Sequence, residues 1–398
     1  MVVLLKVMNF FNKKPKRIFL DFASTTPVDS EVLNVMEKYQ SVSFANPSAL
    51  YKEALVNKEA VRESREKIAE VLNCRKEEVV FTSGGTEGNN LALLGVFEAH
   101  KNKDFTPHFI TTNVEHPSIL EVFKEIERRG GEVTYLTVNE AGLISSKNVL
   151  ASIKTNTVLV SVMYANNEIG SIEPIREIGK VIKDWRQKNQ TELPYFHTDA
   201  CQAVLYLTID VLKLGVDLLT LDGIKIYGPK GVGLLCVKNN VKISPYLFGG
   251  GQEKGLRSGT ENVPAIVGLA FAIEKADSLR DSETFRLTQI RDYGIESILK
   301  SFPNSTLNGE KENRLPNNIN ICFTRLDSEF AVISLDVLGI SASYSSSCRT
   351  LKDDSSSYVV GNLGKRDCAL SSLRFTLGRE TKKADIESLV EALKQVIK

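Results

Sequence analysis

Two residues of the chain could do chemistry together. Asp199 closes the run YFHTD, which begins apolar, and Lys225 follows in the next apolar stretch, just ahead of a Gly-Pro-Lys-Gly turn. A carboxylate can hold a pyridine nitrogen protonated, and a lysine amine can form an imine with an aldehyde. Those are the two groups that pyridoxal phosphate chemistry asks of a protein. Taken alone, the pair is also what chance spacing supplies, and a lysine beside a turn is ordinarily a solvated side chain.

Other residue types with chemical uses lie along the chain in recognisable runs. Ser83 to Thr86 forms a Gly-Gly turn between a strand pattern and a helix pattern. The backbone N–H groups at such a helix start can cradle a phosphate. His116 follows a strand pattern, Cys348 sits in the serine-rich run SASYSSSCRTLKDDSSS, and Arg374 lies in a late strand pattern. In chain order the runs are LDFASTTPVD (Leu20 to Asp29), ANPS (Ala45 to Ser48), FTSGGTEGNN (Phe81 to Asn90), EHPS (Glu115 to Ser118) and NNEIG (Asn166 to Gly170). HTDACQA (His197 to Ala203), KIYGPKG (Lys225 to Gly231), GGGQEKGLRSGTENV (Gly249 to Val263), the Cys348 run and LRFTLGR (Leu373 to Arg379) follow.

This series resembles the cysteine desulfurases, class-V-aminotransferase-like enzymes of pyridoxal phosphate fold type I, in the group with a long mobile cysteine loop. It reaches all but about the first 18 residues. The resemblance implies that Lys225 carries the cofactor, Asp199 pairs with its ring nitrogen and Gln202 with its phenolic oxygen. Gly85 and Thr86 would hold the phosphate, with Asp222 beside them. His116 would stack on the ring and move protons, while Asn167 and Arg374 would hold the substrate carboxylate; an arginine fork suits that task. Thr260 would reach the phosphate of a neighbouring subunit, which implies a homodimer. Cys348 would be the nucleophile. Its thiolate would take sulfur from L-cysteine, releasing alanine, and pass the persulfide to an iron–sulfur scaffold protein or a sulfur carrier for tRNA thiolation. Arg349 and Lys352 would favour the thiolate.

The chain departs from that pattern at the lysine. Where the family has Ser-x-His-Lys, this sequence has Asp222, Gly223, Ile224 and Lys225, and Tyr51 stands where a histidine is expected. Asp222 would repel a phosphate dianion if its side chain pointed the same way. Either the loop turns it elsewhere or cofactor affinity is reduced. Two other functions stay open on the sequence: a selenocysteine lyase or C–S lyase, and a catalytically impaired homologue serving as a dimeric scaffold.

The elements that must position these residues alternate. EVVFT, HFITT, EVTYLTV and TVLVSVMYA read as strands, with amphipathic helical patterns between them, such as IREIGKVIKDWRQKN. That order predicts an α/β fold with a mostly parallel sheet, seven-stranded by the resemblance, with ligands at the carboxyl ends of its strands. A long charged helix from about Phe271 and late strands (NNINICFT, LRFTL) predict a smaller α+β domain. The expected division is 1–26 as an N-terminal segment packing on the small domain, 27–270 as the large cofactor-binding domain, and 271–398 as the small domain, with the cysteine loop at 341–357.

Composition sets bounds. The 398 residues can bury a full core. Fifty basic against 49 acidic residues leave a net charge of +1, no electrostatic case for nucleic acid or a membrane surface. No apolar run reaches the roughly 18 residues of a spanning helix, and the start lacks a leader's charge order, so a cytoplasmic location is expected. The six cysteines show neither metal spacing nor a paired framework. All but Cys348 are expected as reduced, structural thiols.

Overall fold

The structure, a computed structural model, describes residues 17–344 and 356–397. Its centre is a seven-stranded sheet in the spatial order Val79–Thr82, Gly233–Val237, Leu218–Asp222, Tyr195–Asp199, Thr157–Ser161, His108–Thr112, Glu132–Leu136. Gly233–Val237 runs antiparallel to both of its neighbours, and the other pairs are parallel. Most of these strands are buried along their whole length, so they read as continuous apolar runs rather than alternating ones. Helices Gly85–His100 and Pro117–Arg128 cover one face through Leu91, Leu94, Ile119 and Phe123, and a second cluster with Val160, Phe196 and Leu219 fills the other.

A smaller antiparallel sheet joins Ser372–Thr376, Asn318–Phe323 and Ser305–Leu307, backed by helix Lys383–Val396. The helix Val263–Ser301 links the two sheets. Its first half packs with Val263, Ile266 and Ile273 in the large core, and its second half with Leu287, Ile295 and Ile298 in the small one. This helix begins well before Phe271, because Asn262 accepts the Ala265 N–H at 3.3 Å and Pro264 suits a first turn. The strand Ile18–Phe19 pairs in parallel with Ile340–Ser341, and Leu20 enters the small core.

Two cysteines correct the sequence expectation of reduced thiols. Cys322 and Cys368 are joined in a disulfide, with Cα atoms 5.3 Å apart. Cys322 pairs across the sheet with Ser372, and the Ser371 N–H donates to the Cys368 carbonyl, which folds Cys368 back over the strand. A separation of 46 residues gave no hint of the pairing. By loop entropy, closing that span restricts the unfolded chain by about 4 kcal/mol. We therefore expect Cys368→Ser to lose roughly 3–4 kcal/mol of unfolding free energy in oxidising buffer. With dithiothreitol present, the variant and the parent should share one urea midpoint. A gap that persists in reductant would assign the loss to packing.

Candidate active site

The carboxyl ends of the parallel strands open into one cavity. It is lined by Ala23, Ser24, Gly85, Thr86, Asn89, His116, Asn167, Asp199, Gln202, Asp222, Lys225 and Arg374. A wider groove of about 780 Å³, lined by Phe19, Phe22, Lys230 and Asp385 among others, lies apart from it and collects none of the sequence-predicted residues. Of the predicted residues that the structure describes, every one except Thr260 faces the cavity. Thr260 is exposed and outside it. Cys348, with Arg349 and Lys352, lies outside the described residues.

Each side chain is placed by its element. Asp199 ends its strand, and its two carboxylate oxygens accept from Asn89 Nδ2 at 2.8 Å and the Cys201 N–H at 3.0 Å. Both contacts fix the direction in which the carboxylate faces the cavity. Lys225 follows the Leu218–Asp222 strand through a single helical turn, and its Nζ donates to the carbonyls of Ala23 at 2.8 Å and Ser24 at 2.6 Å. Gln202 Nε2 donates to the same Ala23 carbonyl at 2.9 Å. Arg374 is buried; Nη1 donates to the Asn167 carbonyl at 2.9 Å, while Nη2 reaches Asp21 Oδ1 at 2.8 Å and Ser24 Oγ at 3.0 Å.

The turn before the Gly85–His100 helix is shaped by its glycines. Gly84 sits at φ +153°, ψ −178°, a region essentially reserved for glycine. A Cβ on Gly85 would lie 2.7 Å from Cys201 Sγ. The space that these absent side chains leave at the helix start is a cradle for an anion. Two buried polar atoms on the cavity wall, Asn89 Oδ1 and Arg374 Nε, have no hydrogen-bond partner among the described residues. The donor set, the cradle and these two atoms fit pyridoxal phosphate with an amino-acid substrate.

Burial dominates the electrostatics. It lowers His116 below the ordinary histidine range, against the pull of Asp199 and with the help of Lys225. His116 caps the Pro117–Arg128 helix, its Nδ1 accepting from the Ser118 N–H at 3.2 Å. Burial raises the Asp222 carboxyl, while N–H groups of Gly85 and Ile224 work the other way. It also raises the Cys201 thiol far above its usual value, so Cys201 is an inert wall. Asp222, one of the expected cofactor-binding residues, points into the cradle: its Oδ2 accepts the Gly85 N–H at 2.8 Å and its Oδ1 the Ile224 N–H at 3.1 Å.

Reading the sequence missed the supporting residues. Asn89 was quoted within FTSGGTEGNN without a role; it lies one helical turn past Gly85, on the same face, and that spacing could have pointed to it. Ser24 and Asp21 are remote from Arg374 in sequence and carry no local signal.

The aminotransferase class-V family model matches residues 18–389. The chain is 40% identical over 382 residues to "Cysteine desulfurase IscS" of Dictyoglomus turgidum, covering 96% of this chain and 95% of that one. Among solved structures, a "NIFS-LIKE PROTEIN" superposes with a TM-score of 0.88 at 28% identity, covering 96% of this chain and 99% of that one. "SspA in complex with cysteine" does so with a TM-score of 0.77 at 34% identity, covering 90% and 98%.

Two outcomes follow from this geometry. Asn89→Leu removes a donor to a charged carboxylate and should cost about 1.5–3 kcal/mol in urea unfolding of the apoprotein. The same change should speed loss of added cofactor. Because burial lowers it, His116 should take up its proton at lower pH than a histidine of the unfolded chain, as read from its imidazole nitrogen resonances. The unfolded chain takes up that proton first. Its contribution therefore favours the native state above the unfolded value and is lost as pH falls toward the folded one.

Proposed function

Because the chain belongs to the aminotransferase class-V family and is a pyridoxal-phosphate-dependent cysteine desulfurase, we propose specific roles for the residues that line its cavity. The observation that carries them is the convergence of Lys225, Asp199 and the buried Arg374 on one cavity at the strand ends. When bound, pyridoxal phosphate supplies an electron sink for the substrate's α-carbon. Lys225 tethers the cofactor and then moves the proton at that carbon. Asp199 holds the ring nitrogen protonated and Gln202 faces the phenolic oxygen. Gly85 and Thr86 hold the phosphate, and neutral His116 stacks on the ring and shuttles a proton. Arg374 and Asn167 orient the carboxylate of L-cysteine, a reading that the unpartnered Arg374 Nε favours.

Cys348 is the sulfur acceptor. Its thiolate forms an S–S bond with the substrate sulfur as the substrate's carbon–sulfur bond breaks. The electron pair of that bond stays with the carbon, which takes a proton and leaves as alanine. The described residues on either side of the Cys348 segment support this role. The Ser343 N–H donates to the Arg374 carbonyl at 3.1 Å, and Ser357 Oγ donates to Glu168 at 2.5 Å. Both anchors belong to the neighbourhood of the cavity.

The working unit is a homodimer. Phe44, Leu50 and Phe248 are 78%, 91% and 80% exposed, large apolar side chains that a partner surface would cover. In the dimer, Thr260 reaches the partner's phosphate site. The persulfide passes to an iron–sulfur scaffold or to a sulfur carrier in the cytoplasm. No helix among the described residues is long and apolar enough to cross a membrane. The chain divides into an N-terminal segment to residue 26, a large domain to 270 and a small one beyond, a division that the pairing of Ile18–Phe19 with Ile340–Ser341 favours for the first piece.

The visible spectrum of the purified protein tests the assignment. Lys225→Ala should abolish the absorbance of lysine-bound cofactor. Cys348→Ser should keep that absorbance and abolish alanine formation from L-cysteine. Pyruvate, ammonia and free sulfide formed from L-cysteine at the parental rate by Cys348→Ser would mean a C–S lyase that eliminates sulfide. Arg374→Lys should cut kcat/KM roughly 10- to 100-fold, the cost of a charge-assisted pair.

A further inference from the structure

The start of the Gly85–His100 helix is where the cofactor's phosphate would be held, and two of its loop N–H groups are already taken by carboxylates of the same chain. Ser83 N–H donates to Glu87 Oε2 at 2.8 Å, and Gly85 N–H donates to Asp222 Oδ2 at 2.8 Å. The two contacts differ in kind. Glu87 lies on the helix itself, and its Oε1 accepts from Arg257 Nε at 2.8 Å, so its charge is compensated locally. Asp222 comes from the end of the neighbouring strand and has no such partner among its hydrogen bonds, only the backbone N–H groups of Gly85 and Ile224. Its carboxylate is mostly buried, and the positions where Gly84 and Gly85 would bear a Cβ lie 3.2 and 3.3 Å from Oδ2. An anion sits in the anion cradle, supplied by the chain itself.

The side chains of the wall sharpen the point. Among the described residues that line the cavity, Lys225 and Arg374 are the only lysine and arginine. Lys225 donates to the carbonyls of Ala23 and Ser24, and Arg374 is paired with Asp21. Ile224 offers the phosphate no hydrogen bond. Apart from the Thr86 and Thr260 hydroxyls proposed above, a phosphate entering here depends on backbone donors and the helix dipole, and Asp222 competes for both.

We infer that Asp222 is a resident anion which the cofactor's phosphate must displace, so that this enzyme draws unusually little binding from the phosphate of pyridoxal phosphate. The inference rests on the cofactor site proposed above. On entry of the phosphate, Asp222 Oδ2 gives up the Gly85 N–H, and the carboxylate either swings away or keeps its place as the neutral acid. Burial raises this carboxyl and so favours the second course, with Lys225 opposing it and Asp199 assisting; His116 and Cys201 also face the group. In either case, replacing the acid by a neutral residue should release the cradle. Binding through the pyridine ring and Lys225 should be untouched.

Pyridoxal and pyridoxal phosphate separate these terms, because they differ only in the phosphate. Both would be titrated into the full-length apoprotein, following the visible absorbance of lysine-bound ligand, for the parent, Asp222→Ser and Asp222→Asn. Both variants should bind pyridoxal phosphate at least about tenfold more tightly than the parent, the effect of removing a like charge a few ångströms away. Pyridoxal affinity should stay within about twofold, since no phosphate is involved. Equal affinities for pyridoxal phosphate in all three proteins would overturn the inference, as would a parallel change for both ligands, which would mean a general reshaping of the site. Weaker pyridoxal phosphate binding in the variants would also overturn it, making Asp222 a ligand of the phosphate. Absence of the lysine-bound absorbance with both ligands in all three proteins would fail the Lys225 assignment itself, and the inference with it.

Discussion

Asp21 to Thr26 is a short stretch, bridged to Thr376 at Asp21, on which the two halves of the site are hung. Its Ala23 and Ser24 carbonyls receive Lys225 Nζ, and Ala23 also receives Gln202. On the other side, Asp21 and Ser24 Oγ receive Arg374. Thr26 is bound to the Lys225 turn through the Ile224 carbonyl and the Tyr227 N–H. One strap thus fixes the distance between the lysine of the large sheet and the arginine of the small one. A carboxylate-binding arginine is useful only at a set distance from the carbon being deprotonated, so the strap converts two separately folded cores into one reaction geometry.

The strap also explains how a cation can be buried here. Arg374 is almost wholly enclosed, and an unpaired guanidinium in that place would be very costly. Asp21, Ser24 and the Asn167 carbonyl satisfy two of its nitrogens and leave Nε over. Lys225 is oriented in a comparable way, its Nζ donating to the Ala23 and Ser24 carbonyls.

Much of this was legible in the sequence, and the boundary of legibility is physical. Lys225, Asp199, His116 and Gly85 lie at the ends of strands or the starts of helices, and local patterns mark such ends. The Leu218–Asp222 strand was not read as one, although its LLTLD pattern is fully apolar but for two positions; a buried parallel strand has no alternation to reveal it. The start of the long helix at Val263 was hidden because the Asn262 cap lies within a motif noted for another reason. The Cys322–Cys368 bond, the Asn89–Asp199 contact and the Asp21–Arg374 pair join residues far apart in the chain. No local pattern encodes a contact made by packing two sheets, and the direction of the Asp222 side chain is of the same kind.

The role proposed for Cys348 sets two demands. A nucleophile that both meets the substrate and hands its sulfur to an outside acceptor needs reach, and its approach must be confined. The chain meets the second demand at the flanks. Ser343 is paired through its backbone to Arg374, the residue proposed to hold the substrate. Beyond the segment, Ser357 caps the next helix and reaches Glu168, while Tyr358 donates to the carbonyl of Glu115, the residue before His116. One flank is thus fixed to the residue proposed to bind the substrate carboxylate, and the other beside the residue proposed to stack on the cofactor ring. Both described ends of the segment are therefore tied to the walls of one cavity.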